Sequence, residues 1–382
     1  MINRHSTELV VIGGGPVGAS LVRALRGTAV TLIGAAPHLA ALDGFDPRVY
    51  ALSPGNVEFL RALGVWAALP AERLTPVHAM RVFGDDGRAQ LVFDAYEAGA
   101  AELAWIVEDS ALQRALWAGL ASRPERCERL DIDEHAAVLS FGDAEPLAAK
   151  LVVGADGANS FVRNAAGIAA TERDYGQAAL VANFKCERPH ANSAFQWFQG
   201  GGPVLALLPL PGEQVSMVWS LPAAEAERRA ALPAEALATE VVQASHAVLG
   251  ALRLASSVRS LPLRRLAARR LVAPRVALVG DAGHVIHPLA GQGLNLGLQD
   301  ARVLAQVLNE REPGRDAGDY RLLRRYERRR AEPIAAMDAV VSGLFALYGA
   351  QSGLVGRLRN AGLNLTERLP VLKNILIRQA MS

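Results

Sequence analysis

The sequence predicts an α/β protein in which a parallel sheet covered by helices is interrupted by an antiparallel sheet and followed by a helical C-terminal region. The parallel sheet is predicted because three short apolar strand patterns run into loops that begin at Gly13, Gly154 and Gly280, each followed by a helical pattern. The antiparallel sheet is predicted because alternating apolar runs between residues 180 and 220 are separated by proline and glycine turns.

The composition limits the class of protein. A length of 382 residues suggests two or three domains. The near balance of 40 Lys and Arg against 38 Asp and Glu argues against a nucleic-acid binder with a dedicated basic face. Cys127 and Cys186 form no CxxC pair, which indicates a reduced, cytoplasmic compartment and no metal site. The N-terminus shows no secretion signal, and residues 340–355 are too interrupted by glycine and polar residues for a membrane-spanning helix.

The first strand and helix contain a GxGxxG pattern. A strand over residues 8–12 precedes Gly13, Gly15 and Gly18, an apolar helix follows, and a second strand is predicted over 29–33. In a dinucleotide-binding βαβ unit the first glycine makes the turn, the second admits the pyrophosphate, and the third lets the helix pack closely on the strand. The pattern therefore predicts a nucleotide site at the end of the first strand.

The acidic residue that normally follows the second strand of such a unit is missing. Gly34 occupies its place, so no carboxylate is present there to bind the ribose hydroxyls. Losing a charge-assisted hydrogen bond of roughly 1.5–3 kcal/mol weakens nucleotide affinity by about tenfold to a hundredfold. Either the nucleotide is held loosely, or Asp43 or Asp46 reaches in from the following loop.

Two arginines are candidates for phosphate contacts. Arg48 lies just before Ser53, which is a suitable N-cap for a helix predicted over 54–63. It is either a phosphate ligand or a solvated loop arginine. Arg114 lies on a helix predicted over 109–120 and is either a second pyrophosphate partner or a surface charge.

A second loop of nucleotide-binding type follows a buried strand at 151–153. Asp156 and Gly157 lie at the end of this strand, before a serine and a short basic helix. A single motif of this kind is usually only a turn. Its value here comes from its position between the other two glycine loops.

The antiparallel strands form a candidate second domain. Their predicted ranges are 79–83, 89–93, 180–186, 195–198, 204–208 and 214–220, and an alanine-rich helical portion follows at 221–252. Phe195, Trp197, Phe198 and Trp219 either line a pocket or belong to the core of this domain.

The third loop is the most informative. A strand over 276–279 ends at Gly280-Asp281, and a helix begins near Leu294. The Asp281 carboxylate can accept hydrogen bonds from a polyol, and the free backbone N–H groups of Leu294 and Asn295 favour developing negative charge. A polyol joined to a ring that can become anionic describes a flavin nucleotide.

The turn before this helix is rich in glycine. Gly291 and Gly293 let the backbone approach a flat ligand that a β-carbon would push away. The alternative is an ordinary loop with glycine at its turn, and it weakens because the other two loops occur in the expected order.

The C-terminal region is predicted to be helical. A basic helix over 320–330 is expected to end near Pro333, and residues 335–382 are expected to form two or three helices. From residue 351 onward, arginines and one lysine alternate with leucines. Such a tail either contacts a membrane surface or a partner, or covers the core with its charged face in solvent.

With three loops in this order, the chain resembles the flavoprotein aromatic hydroxylases built like para-hydroxybenzoate hydroxylase. The segment from His287 to Gly297, together with Asp300, resembles the signature of the ubiquinone-biosynthesis branch, the UbiH/Coq6-type FAD-dependent monooxygenases. The pairs at 156–157 and 280–281 resemble the two further flavin and pyridine-nucleotide motifs of the class. The resemblance covers essentially the whole chain.

The resemblance implies a discontinuous domain organisation. The Rossmann-like FAD-binding domain is expected to comprise residues 1–76, 98–175 and 265–334. The inserted antiparallel β-sheet substrate domain is expected to comprise 77–97 and 176–264, followed by a helical region at 335–382.

FAD is the implied cofactor. The residues that the pattern and the resemblance together assign to it are Gly13, Gly15, Gly18, Arg48, Asp109, Arg114, Asp156, Asp281, Gly291, Gln292, Gly293, Leu294 and Asn295. Pro288 falls where the class places a proline over the flavin near the reacting oxygen. His284 and His287 either move protons or have a structural role in the loop. No second GxGxxG is present, so electrons are expected from transiently bound NAD(P)H or from another protein.

The implied reaction is hydroxylation of an electron-rich phenol or quinol that carries a polyprenyl tail, with dioxygen as co-substrate and a flavin hydroperoxide as the oxygen donor. Two alternatives remain open: hydroxylation of a small soluble aromatic acid, and a non-catalytic FAD-fold component of a biosynthetic complex. Expected partners are proteins of ubiquinone biosynthesis, a second copy of the chain, or the inner face of the membrane.

Overall fold

The computed structural model describes residues 5–25, 27–37, 44–84, 90–200, 202–287 and 292–349. The strands are β1 (His5–Ile12), β2 (Val30–Ile33), β3 (Val49–Leu52), β4 (Thr75–Val77), β5 (Ala79–Phe83), β6 (Gln90–Asp94), β7 (Ala104–Glu108), β8 (Arg129–Ile132), β9 (Ala137–Phe141), β10 (Ala144–Gly154), β11 (Ala170–Cys186), β12 (Ser193–Phe198), β13 (Val204–Leu210), β14 (Gln214–Pro222), β15 (Leu252–Leu254), β16 (Arg259–Ala268), β17 (Val272–Ala273), β18 (Val276–Leu278) and β19 (His284–Val285). The helices are α1 (Pro16–Ala24), α2 (Pro54–Ala62), α3 (Asp109–Trp117), α4 (Phe161–Ala165), α5 (Ala223–Ala230), α6 (Ala234–Ala244), α7 (Gly293–Asn309) and α8 (Tyr320–Gly349).

The first sheet contains the three strands that carry the glycine loops. Its order is β17-β18-β10-β1-β2, and β18, β10, β1 and β2 run parallel. Ile12 pairs with Gly154, and Gly154 pairs with Leu278, so the carboxyl ends of the three strands lie side by side. The three loops therefore meet at one edge of the sheet, where open α/β folds bind ligands. The predicted α/β fold class is confirmed.

The second sheet is antiparallel apart from one parallel pair. Its order is β19-β16-β11-β14-β13-β12-β5-β6, with β15 also on β11 and β5 parallel to β12. Side chains alternate between its faces along each strand. One face packs beneath α5 and α6 with Phe195, Trp197 and Trp219 in its core. A small third sheet has the order β3-β7-β4, and the chain forms β5 and β6 of the second sheet between β4 and β7.

Helix α7 packs against α1 at a point where both helices must come close. A β-carbon at Gly297 would lie 2.6 Å from a methyl carbon of Val17 and 3.3 Å from the α-carbon of Gly280. Glycine at this position therefore allows α7, α1 and the end of β18 to meet. Leu298, Ala301 and Leu304 are fully buried on the same helix and fix its inner face.

The expectation that a helix ends near Pro333 is wrong, because α8 continues through Pro333 to Gly349. Pro333 is exposed, so water can bind the carbonyl group that loses its helical partner. Tyr326 and Val341, both buried, hold the helix on either side of the proline. Residues 350–382, where further helices were predicted, lie outside the described residues. No helix in the described part of the chain is both long and apolar enough to cross a membrane.

Candidate active site

A cavity of about 550 Å³ lies between the three strand-end loops of the first sheet and the free face of the second. Its loop end is lined by Gly15, Arg48, Asp281 and the start of α7, and its sheet end by side chains of β5, β6, β11, β12, β13, β14 and β16. The volume lies within the range of small-molecule and cofactor sites.

The glycines of the first loop show why the backbone needs them. Gly13 has φ +109°, and a β-carbon there would lie 2.2 Å from the carbonyl oxygen of Ala155. A β-carbon on Gly18 would lie 2.0 Å from the carbonyl oxygen of Gly13. Gly15 differs, because no described atom lies within 4 Å of its β-carbon position and the residue lines the cavity. The loop thus leaves room beside the N-terminus of α1, which favours an anion such as a pyrophosphate.

Asp281 follows β18 in a single 3-10 turn, Gly280–Ala282, and its side chain is exposed in the cavity. Burial by the surrounding protein raises the pKa of this carboxyl group, while the nearby side chains of His284 and Arg48 lower it. Among the described residues no donor hydrogen-bonds its oxygens. The carboxylate is therefore available to hydroxyl groups of a polyol chain.

The N-terminus of α7 is anchored by the side chain of Asn295. Its Oδ1 accepts hydrogen bonds from Ser53 N (3.0 Å) and Asn56 Nδ2 (2.9 Å), and its Nδ2 donates to Ala51 O (2.8 Å). The side chain thus holds α7 to the end of β3. The backbone N–H groups of the first turn, including that of Leu294, have no acceptor among the described residues, which suits a ring that gains negative charge.

Beneath these elements lies a buried charged network centred on Asp300. Its Oδ2 accepts from Gly280 N (2.9 Å) and contacts His284 Nε2 (2.6 Å), and its Oδ1 accepts from Arg330 Nε (2.6 Å). Burial raises the pKa of Asp300, but His284 and Arg330 outweigh it and hold the pKa below its usual range. The network ties β18, α7 and α8 together directly behind Asp281.

Arg48 lines the cavity opposite Asp281, with its guanidinium 5.5 Å from the centre of the Tyr50 ring. Tyr50 Oη donates to Asp109 Oδ1 (2.8 Å), and burial raises the pKa of Tyr50. Asp109 itself is not among the cavity-lining residues. It supports the tyrosine on which Arg48 rests.

Arg114 and Asp156, like Asp109, lie away from the cavity lining. Arg114 is exposed on α3. Asp156 accepts hydrogen bonds from Ser160 Oγ (2.6 Å) and Val162 N (3.1 Å), and so caps the first turn of α4. Its neighbours Ala155 and Gly157 line the cavity instead.

His287 is buried, with only 1% of its surface exposed. Burial lowers its pKa to about 4, so the imidazole is neutral at neutral pH. Nε2 lies 3.1 Å from Gln177 Oε1, and because an amide oxygen only accepts, Nε2 donates. The ring packs edge-on against Tyr175. Pro288 and Gly291 lie outside the described residues, whereas Gln292 and Gly293 line the cavity.

The structure supplies a backbone reason for the missing ribose-binding acid. Gly34 has φ +146°, a conformation that residues with side chains rarely adopt. Asp46, one of the two proposed substitutes, accepts from the backbone N–H groups of Arg48 (2.9 Å) and Ser110 (3.2 Å). It is thus already used within its own loop, and Asp43 lies outside the described residues.

The sheet end of the cavity was not predicted from the sequence. The described residues of the second sheet that line it are Met80, Phe93, Ala179, Val181, Ala194, Gln196, Val204, Ala206, Leu208, Val218, Ser220, Leu261 and Leu263. Of the four aromatic residues considered for a pocket, Phe195, Trp197 and Trp219 lie in the core on the opposite face of the same strands. Phe198 lies on the cavity face instead, where it packs with Ile286 and Leu296. Alternation along each strand is the signal that separates the two sets, since alternate residues face opposite sides.

The comparisons with known proteins agree with this geometry. A family model described as an FAD binding domain matches residues 6–340 of the chain. The chain belongs to this FAD-binding family. It is 36% identical to the 3-demethoxyubiquinol 3-hydroxylase of Escherichia coli over 100% of both chains. It is 34% identical to the ubiquinone hydroxylase UbiL of Rhodospirillum rubrum, covering 98% of this chain and 89% of the relative.

The same fold occurs in solved structures of other proteins. Klebsiella pneumoniae HpxO complexed with FAD and uric acid matches with a TM-score of 0.76 and 19% identity, covering 99% of this chain and 98% of that one. Pseudomonas aeruginosa PqsL in complex with 2-aminobenzoylacetate matches with a TM-score of 0.77 and 25% identity, covering 94% and 99%. The predictions of FAD as cofactor, of a flavin-dependent monooxygenase, and of the UbiH/Coq6-type branch are confirmed.

Proposed function

We propose that this FAD-dependent monooxygenase hydroxylates the aromatic ring of a polyprenylated phenol or quinol intermediate of ubiquinone biosynthesis. The observation that carries the proposal is that one cavity has a polar loop end that continues into a sheet end lined almost entirely by apolar side chains. Such a lining suits a ring with an apolar tail. The similarity to two hydroxylases named for ubiquinone chemistry supports the same substrate class.

FAD, when bound and reduced, supplies the activation of dioxygen. We assign the pyrophosphate to Gly13, Gly15 and Gly18 at the start of α1, where Gly15 leaves open space. The ribityl hydroxyls are assigned to Asp281. The pyrimidine end of the ring is assigned to the backbone N–H groups of Leu294 and its neighbours at the start of α7.

The remaining predicted site residues receive more peripheral roles in this proposal. Arg48, supported by Asp109 through Tyr50, is assigned to a phosphate. Asp156 holds the loop whose neighbours Ala155 and Gly157 face the cofactor, and Arg114 is retained as a phosphate contact from the exposed side of α3. Gln292 and Gly293 are assigned to the turn against the flat ring, and Gly291, which lies outside the described residues, stays a prediction from the sequence.

His287 is proposed to position the segment that carries Pro288 over the reacting oxygen. Its ring is neutral, donates to Gln177 and packs on Tyr175, so it can hold the chain without placing a charge beside the ring. The apolar side chains of β13 and β14 exclude water from the reaction. One oxygen atom of dioxygen enters the substrate ring and the other leaves as water, with two electrons from NAD(P)H or a protein donor.

A small aromatic acid is less well supported as the substrate. Its carboxylate would need a cation, and the described residues at the sheet end of the cavity include none; Arg48 lies at the loop end. A non-catalytic role is also less well supported, because the cavity is open at Gly15 and Asp281 rather than filled by side chains.

We further propose that the enzyme works at the inner face of the membrane, where a polyprenylated substrate would be located, alone or with other proteins of the same pathway. The basic, leucine-rich residues beyond 350 motivate this part of the proposal. Fractionation of cells expressing the full chain and a chain ending at residue 349 tests it. Equal distribution of both forms in the soluble fraction would contradict it.

Deletion of the gene tests the substrate class. We expect ubiquinone to fall and an intermediate that lacks one ring oxygen to accumulate, with recovery when the wild-type gene is restored. In vitro, the accumulated intermediate should gain one labelled oxygen atom when the purified enzyme turns over in ¹⁸O₂. Unchanged ubiquinone and unchanged intermediates in the deletion strain would contradict the proposal.

A further inference from the structure

We infer that Gln196 binds an oxygen atom on the substrate ring through its side-chain amide and thereby selects oxygenated rings. The inference rests on the proposed function and goes one step beyond it. Gln196 lies in the middle of β12, is only 6% exposed, and lines the cavity. Among the described residues it is one of two polar side chains at an otherwise apolar end of the site.

The position of Gln196 on the sheet places it across from the loop end. Its neighbours on the same face of β12 are Ala194 and Phe198. Ala194 packs in a cluster with Val49 and Ala51, and Phe198 packs in a cluster with Ile286 and Leu296.

These two clusters are connected to the segment assigned to the flavin ring. Ala51 accepts a hydrogen bond from Asn295 at the start of α7, and Leu296 lies one residue further along the same helix. The residues on either side of Gln196 on this face, Ala194 and Phe198, therefore both belong to clusters that reach the N-terminus of α7. A ring held between that terminus and β12 would face the amide.

The amide of Gln196 has no hydrogen-bond partner among the described residues, although it can donate twice and accept through its oxygen. Its direct neighbours across the sheet are Ala206 on β13 and Val82 on β5, and neither side chain can form a hydrogen bond. Buried polar groups are normally paired, and an unpaired one loses roughly 1–3 kcal/mol. An oxygen atom of a ligand in this cavity would supply the hydrogen-bond partner that the Gln196 amide lacks.

Ser220, the other polar side chain at this end, cannot share the same ligand atom. Ser220 lies on β14 and pairs with Val204 on β13. Gln196 lies on β12 and pairs with Ala206, two residues further along β13. The two side chains are therefore two strands and two residues apart, on the order of 12 Å. Recognition of a single ring oxygen falls to Gln196 alone.

The test compares two ligands that differ by one hydroxyl group. Binding of 2-pentylphenol and of pentylbenzene to the FAD-loaded enzyme is measured by titration calorimetry. We expect the wild type to prefer the phenol by about tenfold, the size of one hydrogen bond to an otherwise unpaired group. Gln196→Met, which keeps the length and removes the amide, should bring the preference within about twofold by weakening the phenol alone.

Two further variants complete the design. Gln243→Met makes the same chemical change at an exposed site on α6 and should keep the tenfold preference. Gln196→Asn keeps the amide but shortens its reach, and should lose most of the preference even if the methionine variant folds poorly. FAD content reports whether each variant retains its fold.

The outcomes separate the inference from the proposed function. A wild type that prefers the phenol, together with a Gln196→Met variant that keeps that preference, overturns the inference and leaves the proposed function standing. A wild type that binds both ligands equally also overturns the inference alone, whereas a wild type that binds neither ligand counts against the proposed function as well. In turnover, the inference also predicts that Gln196→Met has a higher KM for phenolic substrates than the wild type, with unchanged FAD content.

Discussion

The two ends of the cavity recognise their ligands in different ways. The loop end uses backbone groups, two glycines with constrained geometry and the carboxylate of Asp281, held by a buried network around Asp300. The sheet end uses one face of the second sheet, where the described lining is apolar except for Gln196 and Ser220. Cofactor binding is thus concentrated in short motifs, whereas substrate binding is distributed over alternate residues of strands.

The largest expected effect concerns the network that supports the loop end. Asp300→Asn leaves the buried Arg330 guanidinium without its counter-charge, which should lower the free energy of unfolding by about 3–5 kcal/mol. Urea denaturation measures the change. The exposed pair Arg129–Asp131 supplies the control, because Asp131→Asn should change stability by less than about 1 kcal/mol. Equal effects of the two substitutions would contradict the role given to the network.

The next effect separates cofactor binding from folding. Gly15 has φ −63° and ψ 176°, which alanine adopts freely, and no described atom lies near its β-carbon position. Gly15→Ala should therefore leave the melting temperature of the apoprotein unchanged and weaken FAD binding by roughly 100-fold, or about 2.7 kcal/mol. Gly343→Ala on the exposed part of α8 should change neither quantity. Normal FAD affinity in the Gly15 variant would show that the pyrophosphate lies elsewhere.

A third prediction uses pH to examine His287. Its pKa in the folded protein, about 4, lies below the ordinary value of 6.5, so the unfolded chain takes up the proton first as the pH falls. Its contribution to stability is complete above pH 6.5 and declines towards pH 4. Between pH 7 and pH 5 the wild type should lose about 2 kcal/mol more stability than His287→Gln.

The comparison for this pH effect is the exposed His78, since His78→Gln should retain the full pH dependence of the wild type. Chemical denaturation at pH 7 and pH 5 gives the change in stability for the wild type, His287→Gln and His78→Gln. A His287→Gln variant with the same slope as the wild type would mean that this imidazole is not held neutral by burial.

The smallest effect tests the sheet end alone. Ala206 lines the cavity on β13, and Ala206→Leu should occupy substrate space and lower kcat/KM for a prenylated phenol by about tenfold. FAD affinity should not change, because the loop end is untouched. Ala224→Leu on the exposed surface of α5 should leave both quantities as they are. A parallel loss of FAD in the Ala206 variant would show that the two ends of the cavity are not separable.

The loop end could be predicted from the sequence because its chemistry is encoded in consecutive residues. The glycines at 13, 15 and 18 and the pair at 280–281 each require a particular backbone shape, so their spacing alone indicates a nucleotide site. The α/β fold class, the FAD cofactor and the monooxygenase activity followed from these motifs and are confirmed. The individual site residues stay predictions.

The sheet end could not be predicted, because its lining depends on which face of each strand meets the cavity. Trp197 and Gln196 are adjacent in the sequence, yet one lies in the core and the other in the site. The helix through Pro333 was missed for a related reason, since contacts of residues before and after the proline outweigh its local preference to end a helix.

One measurement tests most directly whether flavin and phenol share this cavity. The purified protein is saturated with FAD and titrated with a phenol that carries a short prenyl tail, while the visible absorbance of the flavin is recorded. We predict a saturable change in the flavin band with one phenol bound per flavin. Failure to bind FAD at saturation, or phenol binding that leaves the flavin spectrum unchanged, would contradict the account.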